Sequence, residues 1–350
     1  MKTRFYVLLL SMVIGGPATA QEQVPDCQAA YEEYLKLTST ACSKADQLMP
    51  PAGRIEMVLD SDMFNEVDDQ FALAFAVRSP ERINLRGVYA APFRNRRSTS
   101  AGDGMEKSYH ETLRVLKLLG VNGDGMVFRG SDRFLPDRRT AVDSPAVRHL
   151  LKLAHEPREG PLFVVGLGAS SNLASALLMD PSIAERIVIV WIGGHPHSWP
   201  HARDFNLQQD IAAAQVLFDS GVRLVHVPAG DVAAALRITL PELERGLKGK
   251  STIADALYQI VEGYYSEVNA KKRVPRSGQG AWQKVIWDIA TIAWLIDPEK
   301  MVQTKIVPSP ILKDDGTWRT GDERHAIRVA TGLDRDRIFE VLFDKLAQPD

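Results

Sequence analysis

The chain predicts an α/β fold, a mostly parallel central sheet flanked by helices, with a helical insertion in its C-terminal half. Three observations carry this. Near-continuous apolar runs such as 161–165 and 186–192 have the length of strands buried on both faces. Amphipathic stretches of helical period separate those runs. The helices stop at turn signals such as Ser79-Pro80 and Asp180-Pro181.

In chain order, 54–60 reads as the first strand and 67–78 as a helix. Strand 83–89, helix 105–119 and a short strand at 125–128 follow. Residues 144–155 are predicted helical, 161–165 a strand, 171–178 a helix and 186–192 a strand. Helix 211–220 and strand 222–227 complete the alternating series, the pattern of a parallel sheet covered on both sides. The segment 240–298 reads as helical around a polar, Gly- and basic-rich loop at 271–280, which serves equally as a lid or as a surface connection. Strand 302–307, a turn near Asp314-Asp315-Gly316, strand 325–330 and helix 334–346 end the chain.

Ahead of this lies a stretch with the character of an export signal. Lys2 and Arg4 precede an apolar run from Phe5 to Ile14, and Gly15-Gly16-Pro17-Ala18-Thr19-Ala20 supplies small residues before a cleavage point at Gln21. The expected organisation is a signal peptide over 1–20, a helical extension over 21–52 and a catalytic domain over 53–350. The expected location is outside the cytoplasm, periplasmic in a Gram-negative source, with no membrane association after cleavage. Cys27 and Cys42 both fall in the extension; in an oxidising compartment they form a disulfide or remain two buried thiols.

Removing Lys2 and Arg4 from the 42 basic residues leaves 40 against 44 acidic ones, a formal charge of −4. With no basic tract and no aromatic-basic interleaving, a nucleic-acid polymer is excluded as the expected partner. A hydrophobic content of 45% is ample for one large core. The sequence leaves a homo-oligomer open.

The densest chemistry lies in Asp60-Ser61-Asp62-Met63-Phe64-Asn65-Glu66-Val67-Asp68-Asp69. Asp60 and Asp62, two apart at a strand end, leave the same face, where open α/β sheets hold ligands. Asp68 and Asp69 fall at the next helix N-terminus, where the dipole tolerates negative charge. Four acids across one turn repel strongly unless a positive charge sits among them. An all-oxygen donor set without Cys or His favours Ca²⁺ or Mg²⁺ over zinc.

This motif resembles that of the calcium-dependent, inosine-uridine preferring nucleoside hydrolases. Three further stretches are similar in order and context: Gly166-Leu167-Gly168-Ala169-Ser170-Ser171-Asn172; Ile192-Gly193-Gly194 with Asp204-Phe205-Asn206; and Trp287-Asp288-Ile289. The resemblance spans about 54–346. It implies a nucleoside-hydrolase-like, Rossmann-like open sheet and cleavage of the N-glycosidic bond of a small nucleoside substrate. It also implies a Ca²⁺ cofactor held by Asp62, Asp69, Asp288 and the backbone carbonyl of Leu167. Asp62 is then the general base, and Asp68, Asp204 and Asn206 contact the ribose hydroxyls.

Three features depart from the family pattern. Five residues separate Asp62 from Asp68 where three are usual, so Asn65 adds a ligand or sugar contact or else caps the helix. Trp287 stands where many members carry a leaving-group His and becomes a candidate base contact; His195, His197 or His201 then are candidate proton donors. Tyr89, Phe93 and Trp199 offer stacking surfaces or simple core packing. The sugar-contacting Asn expected after the second strand has no clean match, although Arg94 and Asn95 lie near it. Arg94, Arg96 and Arg97 favour an anionic substrate if they face the pocket and are ordinary surface residues otherwise.

Two other functions compete. A haloacid-dehalogenase-like phosphatase also opens on a strand and Asp-x-Asp, but needs a Lys and an acidic pair not found at matching strand ends. A non-catalytic nucleoside- or ribose-binding protein on the same fold would explain the missing His, but not the retained Asp62, Asp69 and Asp288.

Overall fold

The computed structural model describes residues 48–270, 281–319, 321 and 323–349. The expected signal segment and most of the expected extension, with both cysteines, lie outside the described residues, as does the loop 271–280.

The first half alternates as the patterning predicts. β1 (Ile55–Ser61), α1 (Asp69–Val77), β2 (Ile83–Ala90), α2 (Ala101–Leu118) and β3 (Val127–Arg129) are followed by α3 (Pro145–His155) and β4 (Leu162–Gly166). Next come α4 (Ser171–Met179), β5 (Ile187–Ile192), α5 (Phe205–Gln209), α6 (Ile211–Asp219) and β6 (Arg223–Val227). The second half contains β7 (Arg237–Thr239), α7 (Leu240–Leu247), α8 (Thr252–Ala270), β8 (Gln283–Val285) and α9 (Ile289–Ile296). It closes with β9 (Val302–Pro308), β10 (Ile311–Leu312), β11 (Trp318–Arg319), β12 (Ala326–Leu333) and α10 (Arg335–Leu346).

The main sheet has eight strands in the order β3-β2-β1-β4-β5-β6-β12-β9. All neighbouring pairs are parallel except β12 with β9. From β1 the chain winds outward through β2 and β3, then returns to place β4 on the other side. The carboxyl ends of β1 and β4 therefore flank a topological switch point, the place where such sheets open a crevice.

The apolar runs owe their continuity to burial on both faces. Met57, Leu59, Phe163, Val165, Val188 and Val190 join one core. Their alternating neighbours Val58, Leu162, Val164, Ile187, Ile189 and Trp191 join the other. Period-two alternation puts an apolar side chain on each face, so β4 and β5 are apolar throughout, as is the middle of β1 at Met57-Val58-Leu59.

Two details differ from expectation. α2 begins at Ala101, earlier than predicted, because the Ser100 side chain accepts from Asp103 N at 3.0 Å and caps it despite two glycines in the first turn. Gly104 packs where a Cβ would run into the Phe93 carbonyl. The segment predicted helical on either side of the 271–280 loop includes β8, which pairs antiparallel with β7 to form a two-stranded sheet. Strands of three residues are too short to show a period.

Candidate active site

A cavity of about 430 Å³ opens at the switch point. Asp62, Asn65, Glu66, Asp68 and Asp69 enter it from the turn after β1, Leu167 from the end of β4, and Asp204, Phe205 and Asn206 from the start of α5. Trp287 and Asp288 arrive from the turn before α9. The nine residues assigned by sequence to the ion, the sugar or, at Trp287, the base all line this one cavity, whereas the other stacking candidates Tyr89, Phe93 and Trp199 do not.

Its floor is a set of buried carboxylates. Asp68, Asp69 and Asp288 each offer an oxygen within 4.8 Å of the others, and all three are buried. Like charges at that separation repel by roughly 3 kcal/mol per pair at an effective dielectric near 20. The titrations follow. Burial first, then Asp68, pushes Asp69 up to about 8, although Ser61 Oγ donates to its Oδ1 at 2.6 Å. Burial pushes Asp68 up to about 6, opposed by Lys284. Asp288 is raised well above the ordinary range by burial and then by Asp68, Asp69 and Asp62. Asp62 is raised by burial and then by Asp69 and Asp68, and its Oδ2 is buried with no hydrogen-bond partner among the described residues. The group that converges most closely contains Asp68 and not Asp62, while Asp62 stands beside it with a free oxygen. A hard divalent cation fits this donor set, because it would relieve the repulsion and partner an orphaned oxygen.

Asp60 lies one layer deeper. Asn172 Nδ2 donates to its Oδ1 at 2.7 Å, while Asn172 Oδ1 accepts from Ser131 N at 2.7 Å and Ser131 Oγ at 2.9 Å. Burial raises Asp60 to about 7. Asn172 thus ties the ends of β1 and β3 to α4, and the Asp60 carbonyl accepts from Leu167 N at 2.7 Å, fixing β4's exit beside β1.

The sugar-side residues are held from behind. Asn206 Nδ2 donates to the carbonyls of Leu167 at 2.6 Å and Ile192 at 3.0 Å. Asp204 caps α5, its Oδ1 accepting from Gly194 N at 2.6 Å and Leu207 N at 3.0 Å; burial raises it to about 6. Gly194 has φ +75°, which favours glycine at this turn. Asn65 Oδ1 accepts from Asn95 Nδ2 at 2.5 Å, and both line the cavity. The helix-capping alternative for Asn65 is thereby corrected: Asp68 occupies the α1 N-cap, and Asn65 turns instead toward the loop after β2. Asn95, in the region lacking a clean match, is brought into the site by that loop.

The rest of the lining is a mostly apolar wall of Ile192, Phe205, Ala229, Gly230, Ala234 and Trp287, with His195 among them. Of the three candidate histidines, His195 alone lines the cavity, and its Nδ1 is buried without a partner among the described residues. His197 instead stacks on His226 with centroids 5.1 Å apart, and burial lowers it to about 4. Tyr89 and Phe93 are fully buried core residues, and Trp199 packs 4.6 Å from His195 while donating to Asp231 at 2.8 Å.

The lengthened turn has partners that the sequence did not announce. Glu66 accepts from Lys284 Nζ at 2.6 Å, and that nitrogen lies 4.2 Å over the Trp287 ring. Burial opposes the charge on Lys284, but Asp68 and Glu66 outweigh it and the net shift is upward. Arg97 donates to the carbonyls of Phe64 and Glu66 and pairs with Glu267 at 3.2 Å. Arg94, Arg96 and Arg97 do not line the main cavity; Arg96 and Arg97 line an adjoining one of about 210 Å³. Among the described residues, no arginine lines the main cavity as a clamp for an anionic substrate.

Residues 57–340 match the family model for inosine-uridine preferring nucleoside hydrolases. The chain belongs to that family. It is a hydrolase acting on N-glycosyl compounds, and the phosphatase and binding-protein alternatives are not favoured. Among curated relatives, the pyrimidine-specific ribonucleoside hydrolase RihA of Photobacterium profundum is 28% identical over 66% of this chain and 77% of its own length. RihA of Shigella boydii is 25% identical over 83% of this chain and 98% of its own. Among solved structures, the plant nucleoside hydrolase PpNRh1 aligns with a TM-score of 0.64 at 20% identity, covering 85% of this chain and all of that one. An inosine-guanosine nucleoside hydrolase gives 0.65 at 16% identity, covering 84% and 98%. At those identities the structures speak for the fold.

Proposed function

We propose that this nucleoside hydrolase is an exported, Ca²⁺-dependent enzyme that releases the base of a ribonucleoside by attack of water at the anomeric carbon. The observation that carries the reading is the convergence of Asp68, Asp69 and Asp288, with Asp62 beside them, against an apolar wall in one cavity. Asp62, Asp69, Asp288 and the Leu167 carbonyl would hold the ion, and the proximity of Asp68 lets it join them. When bound, the cation supplies a Lewis acid that acidifies the attacking water and fixes a vicinal diol.

The chain's own residues do the rest. Asp62, with its unpartnered oxygen, takes the proton from the attacking water. Asp68, Asp204, Asn206 and the Asn65–Asn95 pair orient the sugar hydroxyls. The same carboxylates face the positive charge that grows on the ring as the glycosidic bond breaks. Trp287 and Phe205 offer apolar faces to the base. Export rests on the 1–20 segment, and the catalytic domain is assigned to 53–350.

A ribonucleoside panel containing both uridine and inosine, assayed for free ribose with and without EDTA, tests this directly. Calcium-restorable ribose release is expected. Nucleoside binding with no turnover at high enzyme concentration would overturn the catalytic reading, and EDTA-resistant turnover would overturn the metal.

A further inference from the structure

Breaking an N-glycosidic bond leaves the bonding electron pair on the base nitrogen, so the base departs with negative charge unless it is protonated as it goes. Position 287 offers an indole, which is no proton donor of useful acidity. The structure puts a different group there. Lys284 Nζ is 4.2 Å over the Trp287 ring, its side chain is only 5% exposed, and it donates to Glu66 Oε2 at 2.6 Å and to its neighbour's carbonyl, Val285 O, at 3.0 Å. Tyr264 covers it further, with the ring centroid at 5.4 Å. Trp287 lines the cavity and Lys284 does not.

We propose that Lys284 is a positioning residue for base departure: its buried ammonium, fixed by Glu66 and lying against the Trp287 ring, supports through that indole the negative charge taken up by the base. The proposal rests on the nucleoside-hydrolase reading above. Two carboxylates face the ammonium, Asp68 and Glu66. Asp68 belongs to the floor, where the cation balances it in the loaded enzyme, and Glu66 is 35% exposed and screened by water, whereas the ammonium is shielded from solvent. Glu66 sits in the lengthened acidic turn, so that turn and the indole at 287 form one device. In the reaction, water adds to the anomeric carbon, its proton passes to Asp62, the C–N bond breaks, and the base later takes a proton from solvent. A base stacked on the indole would lie about 8 Å from the ammonium, where one charge at an effective dielectric near 20 changes a rate by about thirtyfold.

The test compares two leaving groups in the full-length, calcium-loaded protein. Uridine carries a poor leaving group, and p-nitrophenyl riboside carries one that needs no support. Lys284→Met is expected to lower kcat on uridine about thirtyfold and on the nitrophenyl substrate less than threefold, with Lys284→Arg restoring uridine turnover. Equal losses on both substrates would reduce Lys284 to a structural role and overturn the proposal. So would a His195→Gln variant that shows the selective loss while Lys284→Met does not. If Lys284→Met fails to fold, the wild type still decides: 5-fluorouridine should turn over at least fivefold faster than uridine, and equal rates overturn the proposal. A wild type inert toward every riboside brings down the hydrolase reading itself, an outcome distinct from equal losses in the variant.

Discussion

The floor and the apolar wall of the cavity solve their electrostatics in opposite ways. On the floor, Asp68, Asp69 and Asp288 crowd within 4.8 Å, with Asp62 beside them, and protein groups such as Ser61 and the more distant Lys284 offset only part of their burial and repulsion. Behind the wall, against Trp287, the ammonium of Lys284 is matched at 2.6 Å by Glu66 and covered by two aromatic rings. One end is incomplete until a cation arrives, and the other is complete in itself. Ligand dependence therefore belongs to the floor, and leaving-group preference belongs to the wall.

The largest effect should come from breaking the floor. Asp69→Ala removes a carboxylate from the centre of the cluster, and metal binding measured by calorimetry should disappear together with activity, a loss of at least a thousandfold. Retained activity with no bound metal would separate the two and end the metal assignment. Asp62→Asn keeps the shape but removes the proton acceptor. Its kcat should fall by about a hundred- to ten-thousandfold, while substrate affinity changes by less than tenfold. Parallel losses in both would make Asp62 a ligand and not the base.

A gentler change separates geometry from charge. A Cβ on Gly168 would sit 3.0 Å from Asp62 Cγ and 3.2 Å from its Oδ1, so Gly168→Ala must shift that carboxyl by a few tenths of an ångström. Turnover should fall by about tenfold with melting temperature nearly unchanged, since misplacement by 1 Å can cost about a hundredfold. An unaltered kcat would mean that Asp62 need not be held closely.

Much of this was legible beforehand, for a physical reason. Strands buried on two faces must be apolar at every position, so β4 and β5 stand out from a single sequence. Carboxylates packed into one turn, as in 60–69, imply a cation wherever they fold together. What stayed hidden is what depends on partners far apart in the chain. Lys284 meets Glu66 across 218 residues, and Asn95 meets Asn65 across 30, with no local pattern marking either contact. The choice of His195 over His197 and His201 depended on loop geometry that spacing does not encode. β7 and β8 escaped because three-residue strands pair through long-range contact and not through period.

The floor and a histidine pair outside the cavity should also titrate in opposite directions. Asp68 and Asp69 are raised from an ordinary 3.8 to about 6 and about 8, so between those limits the metal-free folded state holds more protons than the unfolded chain. Their contribution is present at low pH and is lost as pH rises through 6 to 8. His197 and His226, stacked together outside the cavity lining, are lowered from 6.5 to about 4 and about 3. Their contribution is full above 6.5 and is lost as pH falls toward 3. A bound cation replaces protons on the floor and does nothing for the histidines. The rise in melting temperature from EDTA to calcium should therefore grow steadily from pH 5 to pH 8, because metal and protons compete for the same oxygens. The acid-side loss below pH 5 should be the same with or without metal. A calcium-induced rise that is constant across this range would mean the ion binds somewhere other than the floor, and the contrast between the floor and the histidine pair would fail.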